Sequence, residues 1–178
     1  GHTDTLGNAT GVVAYTALNA DGSELKTSNV PRYRGVENPF GHIWKWTDGI
    51  NVRISPTEAN GGDNISKVFV CEDPSKLNDT NYNGYKNVGN EARTDGYVKE
   101  IIFGEEGEIM PSLVGGGSTQ FFCDNHWTNI PTTETLRGVL FGGHANNGAS
   151  DGLAYAGSLH APSHSTTDIG SRLCFIPA

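Results

Sequence analysis

The C-terminal quarter of the chain is a tract of small and polar residues held between two apolar ends. The ends, Leu136–Phe141 and Ile169–Phe175, carry the β-branched and apolar content of short buried strands. The 142–168 stretch between them is rich in Gly, Ser, Ala, Asn and His, and it has almost no periodicity. Because this stretch returns to a strand-like segment, it predicts a surface loop system on a rigid support, where binding residues commonly lie.

Length and composition favour one domain spanning residues 1–178. A chain of 178 residues can bury about two-thirds of its unfolded surface without disulfides or metals. With 24 glycines and 35% hydrophobic residues, it is expected to be globular and rich in turns, and long helices should be scarce.

Charge argues against two classes of partner. The formal net charge is −8, and the 12 Lys and Arg residues are thinly spread, so no basic patch for nucleic acid or an anionic membrane is expected. No apolar run approaches the roughly 18 residues of a membrane span, so membrane insertion is not expected.

The N-terminus lacks a signal-peptide pattern, although a chain that begins with Gly is compatible with a targeting segment already removed.

The three cysteines, Cys71, Cys123 and Cys174, are widely spaced and odd in number. This pattern favours buried, reduced thiols and assembly in a reducing cytoplasm. A single bridge, Cys71–Cys123 or Cys123–Cys174, remains the alternative.

Alternating apolar residues predict several short strands. Trp44 and Trp46 lie one residue apart, so on a strand both face the same side and are expected to anchor the core. Two polar or glycine-rich stretches, 73–90 and 110–117, are predicted to be irregular. The other predicted strands are Gly11–Ala17, Lys67–Cys71, Tyr97–Phe103 and Thr119–Asp124.

Metal and catalytic patterns are weak, so no metal, cofactor or enzymatic activity is predicted. His160 and His164 are four residues apart, which suits a metal only on a helix, and Pro162 argues against one there. A calcium site would need oxygen ligands, and these are offered by Asp73, Asn78, Asp79, Asn81 and Asn83. This set lacks the spacing of an EF-hand loop, so it indicates a solvated turn. Glu105, Glu106 and Glu108 resemble an exposed turn, and no nucleophile elbow or P-loop lysine occurs.

Three motifs together resemble a known fold family. They are Gly41-His42-Ile43-Trp44-Lys45-Trp46, then Leu136-Arg137-Gly138 with Gly142-Gly143, and finally Ile169-Gly170-Ser171-Arg172-Leu173. They are similar to the C-type-lectin-like fold of formylglycine-generating-enzyme type, and most of all to phage and bacterial variable proteins of diversity-generating retroelements, which include the major tropism determinant. The likeness spans roughly residues 31–175, and residues 1–11 would continue a part of the domain that precedes this sequence.

The resemblance implies an α+β C-type-lectin-like domain with short antiparallel strands, long loops and little helix. Within residues 136–175, the framing strands would stay fixed while adenine-directed mutagenesis rewrites chosen codons in between. The enzymes of the family carry paired active-site cysteines near the Arg-Gly strand, and this chain lacks such a pair there, so that activity is not expected. The implied exposed contact residues are His144, Asn146, Asn147, Ser150, Asp151, Tyr155, His160 and His164. For Trp127 two roles remain open: it covers the core as a lid, or it is an exposed anchor in the binding face formed by these contact residues.

The implied function is non-enzymatic recognition of a bacterial surface protein or glycan by a phage tail or head protein. The location would be the virion, assembled in the host cytoplasm, and the protein would be a homo-oligomer, for example a trimer, so that avidity strengthens weak single sites. Two alternatives are a virion decoration protein whose loops pack on neighbouring subunits and a bacterial surface adhesin of the same fold.

Overall fold

The computed structural model describes residues 12–33, 36–37, 39–105, 107–152 and 154–171. Within these ranges, strands dominate and helix is limited to three single turns of 3-10 type at Glu58–Asn60, Pro74–Lys76 and Gly148–Ser150. The expectation of short antiparallel strands with long loops and little helix is confirmed. The α+β class is wrong for the described residues, because they contain no α-helix and form a mostly β fold. None of their helices is long and apolar enough to cross a membrane.

A three-stranded antiparallel sheet lies at the N-terminal end. It consists of β1 (Val12–Leu18), β2 (Glu24–Tyr33) and β3 (Val36–Glu37), in that order. The β1–β2 turn closes through the Asn19 N–H, which donates to the Ser23 carbonyl at 2.8 Å. The sequence prediction of a strand here is confirmed for its described part, residues 12–17.

Among the described residues, the second sheet has nine strands in the order β6-β5-β4-β10-β11-β9-β7-β8, with β12 also paired to β4. Most neighbours are antiparallel, whereas β11 runs parallel to β9 and β12 runs parallel to β4. The strands are β4 (Trp44–Ile54), β5 (Ser66–Val70), β6 (Lys86–Asn90), β7 (Gly96–Phe103), β8 (Ile109–Val114), β9 (Asn125–Thr128), β10 (Thr135–Phe141), β11 (Ala156–Ser158) and β12 (Ile169–Gly170).

This sheet curls around the main core. Just beyond β6, the Ala92 N–H donates to the Pro111 carbonyl of β8 at 2.9 Å, so the two ends of the sheet meet. The enclosed face carries fully buried aliphatic side chains, which supply most of the hydrophobic stabilisation at about 25 cal/mol per Å² of apolar surface removed from water. These residues are Val52, Ile54, Val68, Met110, Val139 and Ala156.

A bulge in β4 divides the strand into two halves that serve different cores. Opposite β10, Gly138 pairs with Asn51 and the next residue, Val139, pairs with Thr47, so Asp48–Ile50 are extra residues on β4. Because side chains alternate along a strand, this odd insertion reverses which face the even-numbered residues occupy. Trp44 therefore joins a second cluster with Leu140 and Tyr155, whereas Val52 and Ile54 join the main core. The expectation that Trp44 and Trp46 share one side is confirmed, since Trp46 packs against this second cluster.

Two local predictions are wrong. Residues 110–117 were expected to be irregular, yet Ile109–Val114 forms β8. Pro111 is tolerated there because β7 is the only described strand that pairs with β8. Thr119–Asp124 was expected to be a strand, yet it is a turn in which Phe121 and Cys123 have φ near +60° and Phe121 is 60% exposed. The predicted loop 73–90 is irregular until Lys86, where β6 begins.

The strand predictions for Lys67–Cys71, Tyr97–Phe103 and Leu136–Phe141 are confirmed by β5, β7 and β10. Cys71 and Cys123 are both free thiols, so the alternative Cys71–Cys123 bridge is wrong. Cys71 is buried and Cys123 is half-buried. Cys174 lies outside the described residues, as does most of the predicted closing strand after Ser171.

Candidate functional site

A row of side chains crosses the sheet on the face opposite the main core. Trp127 of β9 pairs with Gly157 of β11, Gly157 pairs with Leu140 of β10, and Leu140 pairs with Trp46 of β4. Directly paired residues point to the same face of a sheet, so an aromatic side chain stands at each end of this row. Trp44 approaches the same row, because its ring tip lies 3.9 Å from the position of a Cβ on Gly157.

The segment 159–168 crosses this face and carries two of the predicted contact residues. A turn with Pro162 as its second residue closes when the His164 N–H donates to the Ala161 carbonyl at 2.9 Å. The turn places the rings of His160 and His164 in parallel, with centroids 4.0 Å apart. The segment is fixed to β10, since the Gly138 N–H donates to the His160 carbonyl at 3.1 Å.

A cavity of about 270 Å³ lies beside this histidine pair. Trp44, Leu140 and Gly157 line it from the sheet, and His160, His164 and Asp168 line it from the crossing segment. Burial, together with the nearby His164 and Arg137, lowers the pKa of His160. The Thr166 hydroxyl, hydrogen-bonded to Asp168, lowers the pKa of that carboxyl. At neutral pH the cavity therefore offers a neutral imidazole beside a carboxylate, a pair that can accept and donate hydrogen bonds.

The loop that follows β10 holds the predicted residues from 144 to 150. Gly142 and Gly143 have φ of +83° and +67°, and a Cβ on Gly143 would collide with the Asp151 carboxylate, so the chain turns here on glycine. Asn147 stabilises the next turn, because its Oδ1 accepts the His144 N–H at 2.9 Å. Asn146 is exposed and His144 is half-buried, with its ring 6.1 Å from that of Trp44.

Tyr155 and Asp151 were expected to be exposed contact residues, and this is wrong for both. Tyr155 is 0% exposed and packs its ring 4.8 Å from Trp44, because it immediately precedes β11, which lies inside the sheet. Asp151 is 8% exposed beneath Gly143, and burial raises its pKa to about 6. Both residues support the loop from below and neither presents its side chain to solvent.

The remaining predicted contacts are accessible to different degrees. Trp127 lies on β9 and is 37% exposed, which favours the exposed anchor over the lid on the core. Ser150 and Asn147 are half-buried. The accessible members of the predicted set are thus His144, Asn146, Asn147, Ser150, His160, His164 and Trp127.

Metal-ligating geometry is absent from the part of the chain that the structure describes, where no group of three or more His, Cys, Asp or Glu side chains converges. The stacked rings of His160 and His164 keep their nitrogen lone pairs in two nearly parallel planes, so no single ion lies in the plane of both rings in this arrangement. The side chains of the Asx-rich loop instead stabilise turns: the Asp73 carboxylate accepts the Ser75 N–H and Asn78 Oδ1 accepts the Asn81 N–H.

A buried polar network inside the sheet was not predicted from the sequence. Glu91 is 4% exposed, and its Oε1 accepts hydrogen bonds from Ser158 Oγ at 2.6 Å and Thr128 Oγ1 at 3.4 Å. Burial raises the Glu91 pKa to about 8, so the group is largely protonated at neutral pH. Glu91 lies in the core and does not line the cavity beside the histidine pair, so we interpret it as a structural group.

A second, larger cavity of about 840 Å³ lies on the other side of Pro162. Sequence reasoning missed it because its walls come from the β4 bulge, the 78–85 loop and β10, which are far apart along the chain. The sequence pattern predicted that Trp44 and Trp46 anchor the core, and Trp46 also lines this cavity.

Comparison of the chain with protein-family models, curated proteins and solved structures finds no match. The geometry of the site therefore carries the functional interpretation.

Proposed function

We propose that the protein is a non-enzymatic binding module whose contact face is formed by the 144–150 loop and the 159–168 segment. The observation that carries this proposal is the position of β11. This strand, preceded by the buried Tyr155, anchors the middle of the polar tract between β10 and β9, while the segments on either side remain accessible. A face built in this way loses little conformational entropy when it binds.

The chemistry of the face supports recognition of a polar partner. Imidazole and carboxamide groups provide adaptable hydrogen bonds, and Trp127 adds apolar area at one edge. We further propose, from the resemblance in the three sequence motifs, that the domain is C-type-lectin-like and that its partner is a protein or glycan on a bacterial surface. Display on a phage tail or head, with diversification of residues 142–168, belongs to the same proposal.

One observation favours the alternative of a decoration protein and also supports homo-oligomerisation. Strands β7 and β8 expose apolar side chains near the end of the sheet, with Phe103 72% and Ile109 and Leu113 each 42% exposed. Exposed apolar side chains are common where subunits pack together. On this alternative, the polar loops would contact a neighbouring subunit and not a host ligand.

Binding of the purified protein to intact bacterial cells tests the proposal. The test variant replaces His144, Asn146, His160 and His164 with alanine and keeps the buried Tyr155 and Asp151, whose loss would confuse misfolding with lost recognition. The matched control replaces Glu58, Asn60 and Asn83, which are exposed and line neither cavity. Loss of cell binding in the folded test variant alone supports the proposal, whereas equal binding by both variants, or none by the unaltered protein, favours the decoration role.

A further inference from the structure

Asparagine is followed directly by glycine at three places in the chain: Asn60-Gly61, Asn83-Gly84 and Asn147-Gly148. In such a pair the backbone nitrogen of the glycine can attack the side-chain Cγ of the asparagine, because glycine has no Cβ to obstruct the approach and adopts most backbone conformations. The attack requires a glycine N–H and an asparagine carboxamide that are free of other hydrogen bonds. The fold therefore determines which of the three pairs can react.

The Asn83-Gly84 pair lies at the tip of an exposed turn. The turn closes when the Tyr85 N–H donates to the Tyr82 carbonyl at 3.1 Å, and the φ of +83° at Gly84 fits the third residue of a type II turn. The peptide bond that joins Asn83 to Gly84 is the central one of the turn, so its N–H takes no part in the turn's own hydrogen bond. Both residues are exposed, and neither the Gly84 N–H nor the Asn83 carboxamide makes a hydrogen bond with any residue that the structure describes.

Hydrogen bonds protect the Asn60-Gly61 pair. The Gly61 N–H donates to the Glu58 carbonyl at 2.9 Å, so the nitrogen that would attack is engaged in the 3-10 turn. The Asn60 side-chain amide donates to Thr57 Oγ1 at 3.3 Å. Ring closure at this pair has to break both bonds.

A side-chain contact protects the Asn147-Gly148 pair. Asn147 Oδ1 accepts the His144 N–H at 2.9 Å, and the Asn147 N–H donates to the His144 carbonyl at 2.9 Å. Asn147 is also half-buried. Its Cγ can reach the Gly148 nitrogen only after the carboxamide has left His144.

We infer that Asn83 is a site of spontaneous modification, at which the side chain is deamidated through a cyclic imide. The Gly84 nitrogen forms a bond to Asn83 Cγ and loses its proton, the bond between Cγ and Nδ2 breaks, and ammonia leaves. Water is the only co-reactant, and it then opens the five-membered imide at one of its two carbonyl groups. Opening at the side-chain carbonyl gives aspartate at position 83, whereas opening at the main-chain carbonyl gives isoaspartate.

Both products change the turn at position 83. A carboxylate replaces a neutral carboxamide and adds one negative charge to the formal net charge of −8. Isoaspartate also lengthens the backbone by one methylene group, so the turn can no longer close on Tyr82 with the same geometry. The buried Asn51 amide donates to the Asn78 carbonyl at 2.9 Å and to the Asn81 carbonyl at 3.0 Å, which holds the start of the same loop. We therefore expect the change to remain local to the turn.

Incubation of the purified full chain in warm, mildly alkaline buffer made with heavy-oxygen water, followed by peptide mapping with mass spectrometry, tests the inference. Each imide that water opens takes up heavy oxygen, so deamidation during the incubation is distinguished from earlier reaction. We expect position 83 to react at least about tenfold faster than Asn60 and Asn147, because additional hydrogen bonds have to break at those two sites. Isoaspartate should be the more abundant product.

The same chain unfolded in guanidinium chloride is the reference for the effect of the fold. The protecting hydrogen bonds are lost there, so the three pairs should react at similar rates. Asn83→Gln should abolish the fast reaction in the folded protein, because the longer side chain would have to close a six-membered ring. The matched control Asn60→Gln changes another exposed asparagine that precedes glycine and should leave the rate at position 83 unaltered.

Either of two results would overturn the inference. One is a folded protein in which Asn60 or Asn147 reacts as fast as Asn83, or in which position 83 stays intact while the unfolded chain reacts. The other is an acidic form that accumulates equally in the Asn83→Gln variant. Position 83 lies outside the 144–150 loop and the 159–168 segment, so the outcome is independent of whether the proposed contact face binds cells.

Discussion

Replacing Glu91 with glutamine should remove a pH dependence from the stability of the whole fold. In the folded protein the buried Glu91 carboxyl has a pKa of about 8, against 4.5 for an unperturbed glutamate. Burial disfavours the ionised form, and the hydrogen bonds from Ser158 and Thr128, with Arg93 nearby, offset only part of that cost. Between pH 4.5 and about 8, the Glu91 carboxyl is therefore ionised in the unfolded chain and protonated in the folded chain.

The sign of the effect follows from this difference. Because the unfolded state binds fewer protons than the folded state between pH 4.5 and about 8, the free energy of unfolding falls as the pH rises through that range. Each pH unit changes it by about 1.4 kcal/mol at most, so about 2 to 3 kcal/mol is lost between pH 5.5 and 7.5. For a domain of this size the loss corresponds to about 5 to 10 °C in melting temperature.

Glutamine keeps an acceptor at Oε1 for Ser158 and Thr128 but cannot ionise. Glu91→Gln is therefore expected to be slightly less stable than the unaltered protein at pH 5.5, because it adds a buried N–H donor where Glu91 Oε2 has no partner among the described residues. It should be the more stable protein at pH 8.5. Urea unfolding at four pH values between these limits, followed by tryptophan fluorescence, measures the crossing of the two curves.

The comparison must separate Glu91 from other groups whose pKa is raised. Burial raises the pKa of Asp151 from 3.8 to about 6 and also raises that of Asp124. Both groups therefore also contribute a fall in stability as the pH rises, for Asp151 between pH 3.8 and about 6. These contributions are common to both proteins and cancel in the difference. Glu58→Gln, on an exposed side chain, controls for the substitution itself. Parallel stability curves for Glu91→Gln and the unaltered protein would refute the reasoning.

Three further substitutions test the support of the site. Gly138→Ala should lower the free energy of unfolding by about 1 to 3 kcal/mol, because the added methyl group forces the Trp46 ring from its place; urea unfolding measures this. Tyr155→Phe should leave stability unchanged or slightly higher in a thermal melt, since the buried hydroxyl makes no well-formed hydrogen bond with any described residue. Asn51→Ala should cost about 1 to 2 kcal/mol and speed amide exchange in residues 78–81, whose carbonyls lose their donor.

Strands with strong apolar content were predictable from the sequence. The segments 67–71, 97–103 and 136–141 became β5, β7 and β10 because their alternation fits a sheet with one buried face. The wrong predictions fall where local sequence chemistry and tertiary pairing disagree. Pro111 predicts the end of a strand, yet on β8 the lack of a backbone N–H costs little, and the Pro111 carbonyl accepts the Ala92 N–H.

The candidate site was only partly predictable for a related reason. The sequence indicated the tract that carries it, but the bulge at Asp48–Ile50 depends on how β10 pairs with β4, a contact between residues far apart in the chain. That bulge sets the face on which Trp46 lies. No periodicity within β4 itself predicts the reversal.

The burial of Tyr155 changes how the polar tract should be understood. Its neighbours Ala154, Ala156 and Gly157 are small, which resembled a loop in the sequence, yet small residues also allow a strand to fit between two others. Since β11 pairs with both β10 and β9, substitution in this part of the tract would cost stability as well as change contacts. If the tract varies between related chains, variation should therefore concentrate at the accessible positions His144, Asn146, His160 and His164 and spare Tyr155 and Asp151.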